Sequence, residues 1–457
     1  MSALIFTTIL GILLLYLGFT KKNAILSPIA ISGLLISLVL SFKDWGFGSR
    51  YFHDMIVFDN FSIAFNISMI IITILIFLFG IDYYRTVELH VAEQYSLMIF
   101  ALTGAFLMTS FSNLIMLFLG IEILSIPLYI LAGGKKSSYR SNEASFKYFM
   151  MGSFATAFFL FGIALVYGAS ATFYLPEIKT YLAQFHGTPP PMLMVGLLFI
   201  IIGVAFKVAV APFHFWSPDV YEGAPTLVTA FMATVVKTAG FAAFYRLLTM
   251  GLLPLPVPLE KTLWVMTGLS LFIGNLSALK QSNFKRLLAY SAIVHSGFMM
   301  LAVLSQQATS ATVLLYYTFV YSLATVPLFI IFILMKRATN NREELFIFRG
   351  LFKRKPWIAL FMTIMLMSLA GIPPTSGFIA KYRVFSLSIG SGYLAISMFA
   401  ILMAIIGVYY YFFVLREVFT ENEESNPIVV SKINAALILV CGMAVVLLGI
   451  FVWNVPI

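Results

Sequence analysis

Fourteen apolar runs divide the chain, at roughly residues 2–20, 24–42, 57–81, 94–111, 113–132, 145–168, 192–215, 225–249, 262–281, 286–304, 311–335, 357–385, 391–415 and 433–454. Each is close to the ~20 residues that an α-helix needs to cross a hydrocarbon core. The pattern predicts an all-α integral membrane protein of about fourteen transmembrane helices, with both termini on one face. The polar stretches between runs are too short for a soluble domain, and none reads as a convincing strand. The longest, Lys336–Lys355, carries seven basic residues against Glu343 and Glu344 and reads as a topogenic, lipid-facing segment. On the opposite face, Leu175, Ile178, Leu182 and Phe185 keep helical spacing and predict a short amphipathic helix lying on the bulk.

Charge placement orients these runs. Loops and helix ends that follow odd-numbered runs carry 19 Lys and Arg, and those that follow even-numbered runs carry five. Because basic loops stay in the cytoplasm, both termini are expected on the outer side, with a bacterial cytoplasmic (inner) membrane as the default location. A net charge of +10 would suit nucleic acid, but basic residues lying mostly in short loops between spans argue against such a partner and for the lipid bilayer. Composition agrees: 61% of residues are hydrophobic, 10% are charged and mean hydropathy is +0.99, where soluble proteins carry about 25% charged residues. No positive charge precedes the first run and Lys21-Lys22 follow it, the reverse of a cleavable signal peptide. Cys441 is the single cysteine, the five histidines have no paired spacing and no phosphate-binding loop follows a strand, so no cofactor or metal is expected in this chain.

Against this apolar background four charges stand out. Glu122, Lys207, Lys237 and Lys381 each fall inside a spanning run, where a charge costs roughly 2.5–3.5 kcal/mol by insertion scales. One acid and three bases exceed what a static salt bridge requires, and this points to charge movement through the interior. Pro212 follows Lys207 by five residues and should break run 7, leaving the Val208 carbonyl unpaired. Non-helical backbone at that depth is tolerated only inside protein or beside water. Pro373 and Pro374 interrupt run 12 in the same way ahead of Lys381, with Gly371 and Gly377 loosening it further; snorkelling of Lys381 to the interface is the alternative. Two proline-broken helices in corresponding places are the sign of inverted repeats. The division expected is residues 1–90 (helices 1–3), 91–250 (helices 4–8), 251–417 (helices 9–13) and 418–457 (helix 14). Lys237, half-way along helix 8, is the expected neighbour of Lys207. His295, midway in helix 10, titrates near neutrality and is a possible relay between the halves, or a hydrogen-bonded structural residue. His214, past the break, is a weaker candidate on the intake side.

Four stretches carry a family likeness: Gly120-Ile-Glu-Ile-Leu-Ser-Ile-Pro-Leu-Tyr129; Phe206-Lys through Ala211-Pro-Phe-His-Phe-Trp-Ser-Pro-Asp-Val-Tyr-Glu-Gly-Ala-Pro225; Phe284-Lys-Arg-Leu-Leu-Ala-Tyr-Ser291; and Gly371-Ile-Pro-Pro-Thr-Ser-Gly-Phe378. They resemble the antiporter-like subunits of respiratory complex I, NADH:quinone oxidoreductase, most closely the subunit-N branch, over helices 4–13. The resemblance implies a fourteen-helix proton channel with discontinuous helices 7 and 12. It implies a Glu122–Lys207 pair, Lys237 as the connecting lysine and Lys381 as the terminal carrier. It also implies partners: antiporter-like subunit M and the small subunits K and J/A as neighbours, with flavin, iron–sulfur clusters and quinone in other subunits. A lysine at the helix-12 position distinguishes the subunit-M branch, which has glutamate there, and the absence of a long lateral helix distinguishes subunit L. Alternatives of the same fold are a multisubunit sodium/proton antiporter and a membrane-bound hydrogenase or formate hydrogenlyase module. Sodium would call for a second buried acid near Glu122, and none is legible. A passive scaffold is the alternative from another class.

Overall fold

The computed structural model describes residues 1–20, 23–85, 90–185, 189–421 and 427–451. Lys21-Lys22 and the last residues of run 14 lie outside the described residues. The helices are α1 (Ser2–Gly18), α2 (Asn23–Lys43), α3 (Asn60–Tyr83), α4 (Val91–Ser110), α5 (Leu114–Ala132), α6 (Tyr139–Ser170), α7 (Leu175–Leu182), α8 (Pro191–Lys207), α9 (Trp216–Gly223), α10 (Thr226–Leu252), α11 (Val257–Ala278), α12 (Phe284–Ser305), α13 (Ser310–Ala338), α14 (Pro356–Ala370), α15 (Ser376–Gly390), α16 (Leu394–Phe419) and α17 (Lys432–Ile450). Ten of these are by themselves long and apolar enough to cross a membrane. Joining α8 to α9 and α14 to α15 across their breaks, and setting aside the short α7, leaves the fourteen expected spans.

Helices α4–α10 form five of these spans and α11–α16 the next five, and in each set the fourth is the broken one. Because five is odd, the second set starts from the face opposite the first, which makes the repeats inverted. Packing places α10, α12 and α13 at the centre. The most apolar window of α10 is wholly buried, and those of α12 and α13 are 94% buried, against 33–39% for α2, α6, α16 and α17. Charges on the central helices therefore face protein, and apolar side chains such as Phe146, Phe154, Leu402 and Ile405 face outward. The α-amine of Met1 pairs with Asp44 at 3.0 Å, which sets the N-terminus beside the loop after α2. As expected, a short helix forms here, α7, with Leu175, Ile178 and Leu182 buried, while Phe185 lies beyond its end.

Two expectations need correction. A two-stranded ribbon, β1 (Ser49–Tyr51) and β2 (Ile56–Phe58), closes the loop after α2, with Ser49 opposite Phe58 and Tyr51 opposite Ile56. Strands of three residues are too short to show a period of two. The basic loop 336–355 is partly buried rather than lying wholly on the surface, with Phe346 and Phe352 exposed. Leu345, Ile347, Phe348 and Leu351 are buried, and the Phe284 and Phe348 rings meet edge to face at 4.8 Å. Several of its basic residues make ion pairs with acids elsewhere in the protein or in the loop itself, among them Lys336 with Glu343, Arg337 with Asp82 (2.6 Å) and Arg349 with Glu417 (2.5 Å).

Candidate functional site

Glu122 lies mid-way along α5 beside an exposed stripe of Leu119, Ile123, Ile126 and Ile130. Its carboxylate accepts a hydrogen bond from Thr156 Oγ1 of α6 at 2.8 Å. Lys207, the last residue of α8, is buried. Its ammonium donates to Ser125 Oγ at 2.8 Å and to Tyr129 OH at 3.2 Å, both on α5. Among the described residues no ion pair within 4 Å joins Glu122 and Lys207, so the pair that the resemblance implies is not formed directly. The physical reason is placement on α5. Glu122 is half-buried and turned towards Thr156, whereas Ser125, three residues on, is fully buried towards Lys207 and donates its own hydrogen bond to the Ile121 carbonyl. One turn of α5 thus separates the acid from the base.

The break in the seventh span starts at Lys207, before Pro212, and runs through residues 208–215. Ala209 takes the left-handed backbone region (φ 53°), uncommon for a residue with a side chain. Polar groups at the break find partners from other helices or from across the gap. Val208 O accepts from Ser296 Oγ at 2.8 Å, Ala211 N donates to Ser270 Oγ at 2.9 Å, and Trp216 Nε1 donates to Phe206 O at 3.0 Å. The carbonyl expected to be orphaned by Pro212 is therefore satisfied by α12. His214 is buried with Nδ1 unpartnered among the described residues and its ring 4.4 Å from Phe215. Among the described residues no hydrogen bond joins it to Lys207, Lys237 or Lys381.

Lys237 follows a π-helical turn, Met232–Val236, in α10; such turns widen the helix and are frequent at functional sites. Its ammonium donates to Ala292 O at 2.6 Å and to Ser296 Oγ at 2.7 Å. One residue before Ser296, His295 contacts Tyr317 OH through Nδ1 (2.8 Å) and Tyr411 OH through Nε2 (3.2 Å). The His295 ring lies 6.1 Å from that of Phe298, and Lys381 Nζ sits 5.0 Å from the centre of the same Phe298 ring. Lys381 does not snorkel. It is 6% exposed and turns back to the Ala370 carbonyl at 2.7 Å, across the break that holds Pro373 and Pro374. Gly371 caps α14 with φ 82°, and a Cβ there would lie 2.7 Å from Lys381 Cδ, so glycine makes room for the lysine stem.

Two buried cations escape the reading of charges by span. Lys285 is 2% exposed and donates to Glu222 O (2.6 Å) and Ala224 O (2.7 Å), closing the end of α9. It forms the floor of a cavity of about 570 Å³ whose wall includes Lys135, Arg140, Lys336, Glu222 and Glu343. A signal was present: Lys285 and Arg286 follow the N-cap Asn283 and so sit at the helix end that disfavours cations. Arg246, also 2% exposed, pairs with Asp59 at 2.8 Å and donates to Phe111 O at 2.7 Å near the opposite face. Its place near a helix end disguised it as an ordinary loop charge.

Residues 112–407 match the family described as NADH:quinone oxidoreductase/Mrp antiporter, TM. The chain belongs to this family. NADH-quinone oxidoreductase subunit N of Flavobacterium johnsoniae is 40% identical over 93% of each chain. The same-named protein of Trichlorobacter lovleyi is 36% identical over 92% of this chain and 87% of its own. Among solved structures, a chain of respiratory complex I from Thermus thermophilus with bound aureothin superposes with a TM-score of 0.83 at 31% identity, covering 98% of this chain and 96% of that one. A chain of the Mrp complex from Dietzia sp. DQ12-45-1b superposes with a TM-score of 0.84 at 19% identity, a likeness of fold alone. Members of both branches share the architecture, so the architecture by itself does not choose between them.

Proposed function

We propose that this chain is a membrane-arm subunit of an NADH:quinone oxidoreductase, in the place of subunit N, and that it carries protons across a bacterial cytoplasmic membrane. The relatives named subunit N, similar over nearly the whole chain, support the placement. The observation that carries the proton reading is the buried polar line Thr156–Glu122, Ser125–Lys207, Val208–Ser296–Lys237 and His295, with Lys381 beyond Phe298.

In this reading Glu122 sets the charge state of Lys207 from one turn away. Electron transfer in partner subunits, which would hold the flavin, iron–sulfur clusters and quinone, disturbs that acid. Lys207 then passes a proton by way of water to Lys237. Ser296, bonded to both the break and Lys237, keeps the two in register. His295 and its tyrosines connect the first half to Lys381, which releases the proton to the outer face. Subunit M on one side and the small subunits K and J/A on the other would be the neighbours.

The test is Lys207→Ala and Glu122→Ala in the assembled complex, in membrane vesicles energised with NADH. Coupled proton translocation is expected to fall by roughly tenfold or more, with the complex still assembled. Wild-type pumping by either variant removes that residue from the pathway. Pumping that requires sodium would instead assign the chain to cation transport.

A further inference from the structure

A second polar line reaches His295 from the face that carries the basic loops, and the pathway above shares only its last member, Tyr411. A cavity of about 430 Å³ opens there between α11, α12 and α16, lined among others by Gln281, Glu344, Arg349, Tyr410 and Glu417. The Glu417 side chain is 5% exposed and is paired with Arg349 and Arg416. Tyr410, 2% exposed, forms the inner end, about 14 Å in from the end of α16 by helical rise.

Beyond Tyr410 comes Tyr411, with the two rings 4.5 Å apart. Tyr411 OH is hydrogen-bonded to Ser291 Oγ and lies 3.2 Å from His295 Nε2.

An independent observation marks a place for water on this line. Asn275 on α11 is fully buried. Its Nδ2 donates to Leu271 O at 2.8 Å, and its Oδ1 has no partner among the described residues. A Cβ on Gly407 would lie 3.3 Å from Asn275 Oδ1 and 3.5 Å from Tyr410 OH, so these two polar atoms flank a space that glycine keeps open. A buried amide oxygen of this kind calls for a donor, and a water between it and Tyr410 would have partners on both sides.

We propose that this line is a second proton intake, in which water held between Asn275 and Tyr410 passes protons through Tyr410, Tyr411 and Ser291 to His295. Each hydroxyl accepts one proton and gives up its own, so one proton leaves the cavity for each that arrives at the imidazole, and nothing is oxidised or reduced. The second repeat then draws protons from the basic-loop face on its own account rather than only through Lys207 and Lys237. The inference rests on the proton-carrying reading above.

The experiment uses the assembled complex in vesicles with the basic-loop face outward, with an external pH dye reporting proton uptake on addition of NADH. Native gels check assembly. Tyr411→Phe breaks the hydroxyl line, and Gly407→Ala fills the space beside Asn275 without deleting any hydrogen-bonding group. Both are expected to slow uptake by roughly tenfold with assembly unchanged. Normal uptake in both variants, beside a depressed Lys207→Ala, overturns the second intake and leaves the proposed function standing. Normal uptake in all three overturns both. Slow uptake in Tyr411→Phe with normal uptake in Gly407→Ala also overturns the intake, because Tyr411 then only positions His295.

Discussion

Ser296 Oγ meets the Val208 carbonyl at 2.8 Å, a hydrogen bond from the second repeat to the break in the first. The same oxygen accepts from Lys237 Nζ at 2.7 Å. A single hydroxyl therefore senses both the conformation of the broken span and the position of the central lysine. If the break shifts, the acceptor that holds Lys237 shifts with it.

Ser296→Ala is expected to leave Val208 O without a donor and Lys237 with the Ala292 carbonyl alone. An unsatisfied buried group costs about 1–3 kcal/mol, so the thermal midpoint of the complex should drop. Coupled proton transfer should fall by more than that loss of stability explains. Ser296→Thr keeps the hydroxyl and should restore transfer. If Thr and Ala variants pump alike, the hydroxyl has no part in transfer.

Arg246 is expected to serve stability rather than transport. It joins Asp59, the N-cap of α3, to the Phe111 carbonyl at the end of α4. Removing one partner of a buried pair costs about 3–5 kcal/mol, and the 39% exposure of the Asp59 side chain puts Arg246→Ala at or below the low end of that range. Thermal unfolding of the detergent-solubilised complex is the measurement. The pumping ratio of complexes that survive should be unchanged, and an altered ratio would mean that Arg246 belongs to the pathway.

Glu343, in the loop after α13, gives a pH signature. Burial alone would raise its carboxyl, but Lys285, Lys336 and a hydrogen bond from Asn283 outweigh burial and hold it below the usual glutamate range. A carboxyl depressed in the folded state contributes stability fully above its unfolded value, and this is lost as pH falls through the folded one. The wild-type complex should therefore be more stable than Glu343→Gln near neutrality, and the two melting points should converge on acidification below the ordinary range of a glutamate. A constant difference across that window would show that the carboxylate charge is not what Glu343 contributes.

The sequence by itself determined the fourteen spans, the asymmetry of their basic loops, the two proline breaks and the four charges of the interior. These are local properties, because an apolar run of sufficient length must satisfy its own backbone as helix and any charge within it stands out by its cost. Tertiary structure alone decided what those charges touch. Ser296 lies 88 residues from Val208 and 59 from Lys237, and no periodicity in either segment announces that they meet. Packing likewise separated Glu122 from Lys207 by one turn of α5 and folded Lys381 back onto Ala370. It buried Lys285 and Arg246, which by position in the chain look like ordinary loop and helix-end charges. Hydrogen-bond partners across a helical bundle depend on how the helices are rotated against one another, and that rotation is settled only when the whole bundle is packed.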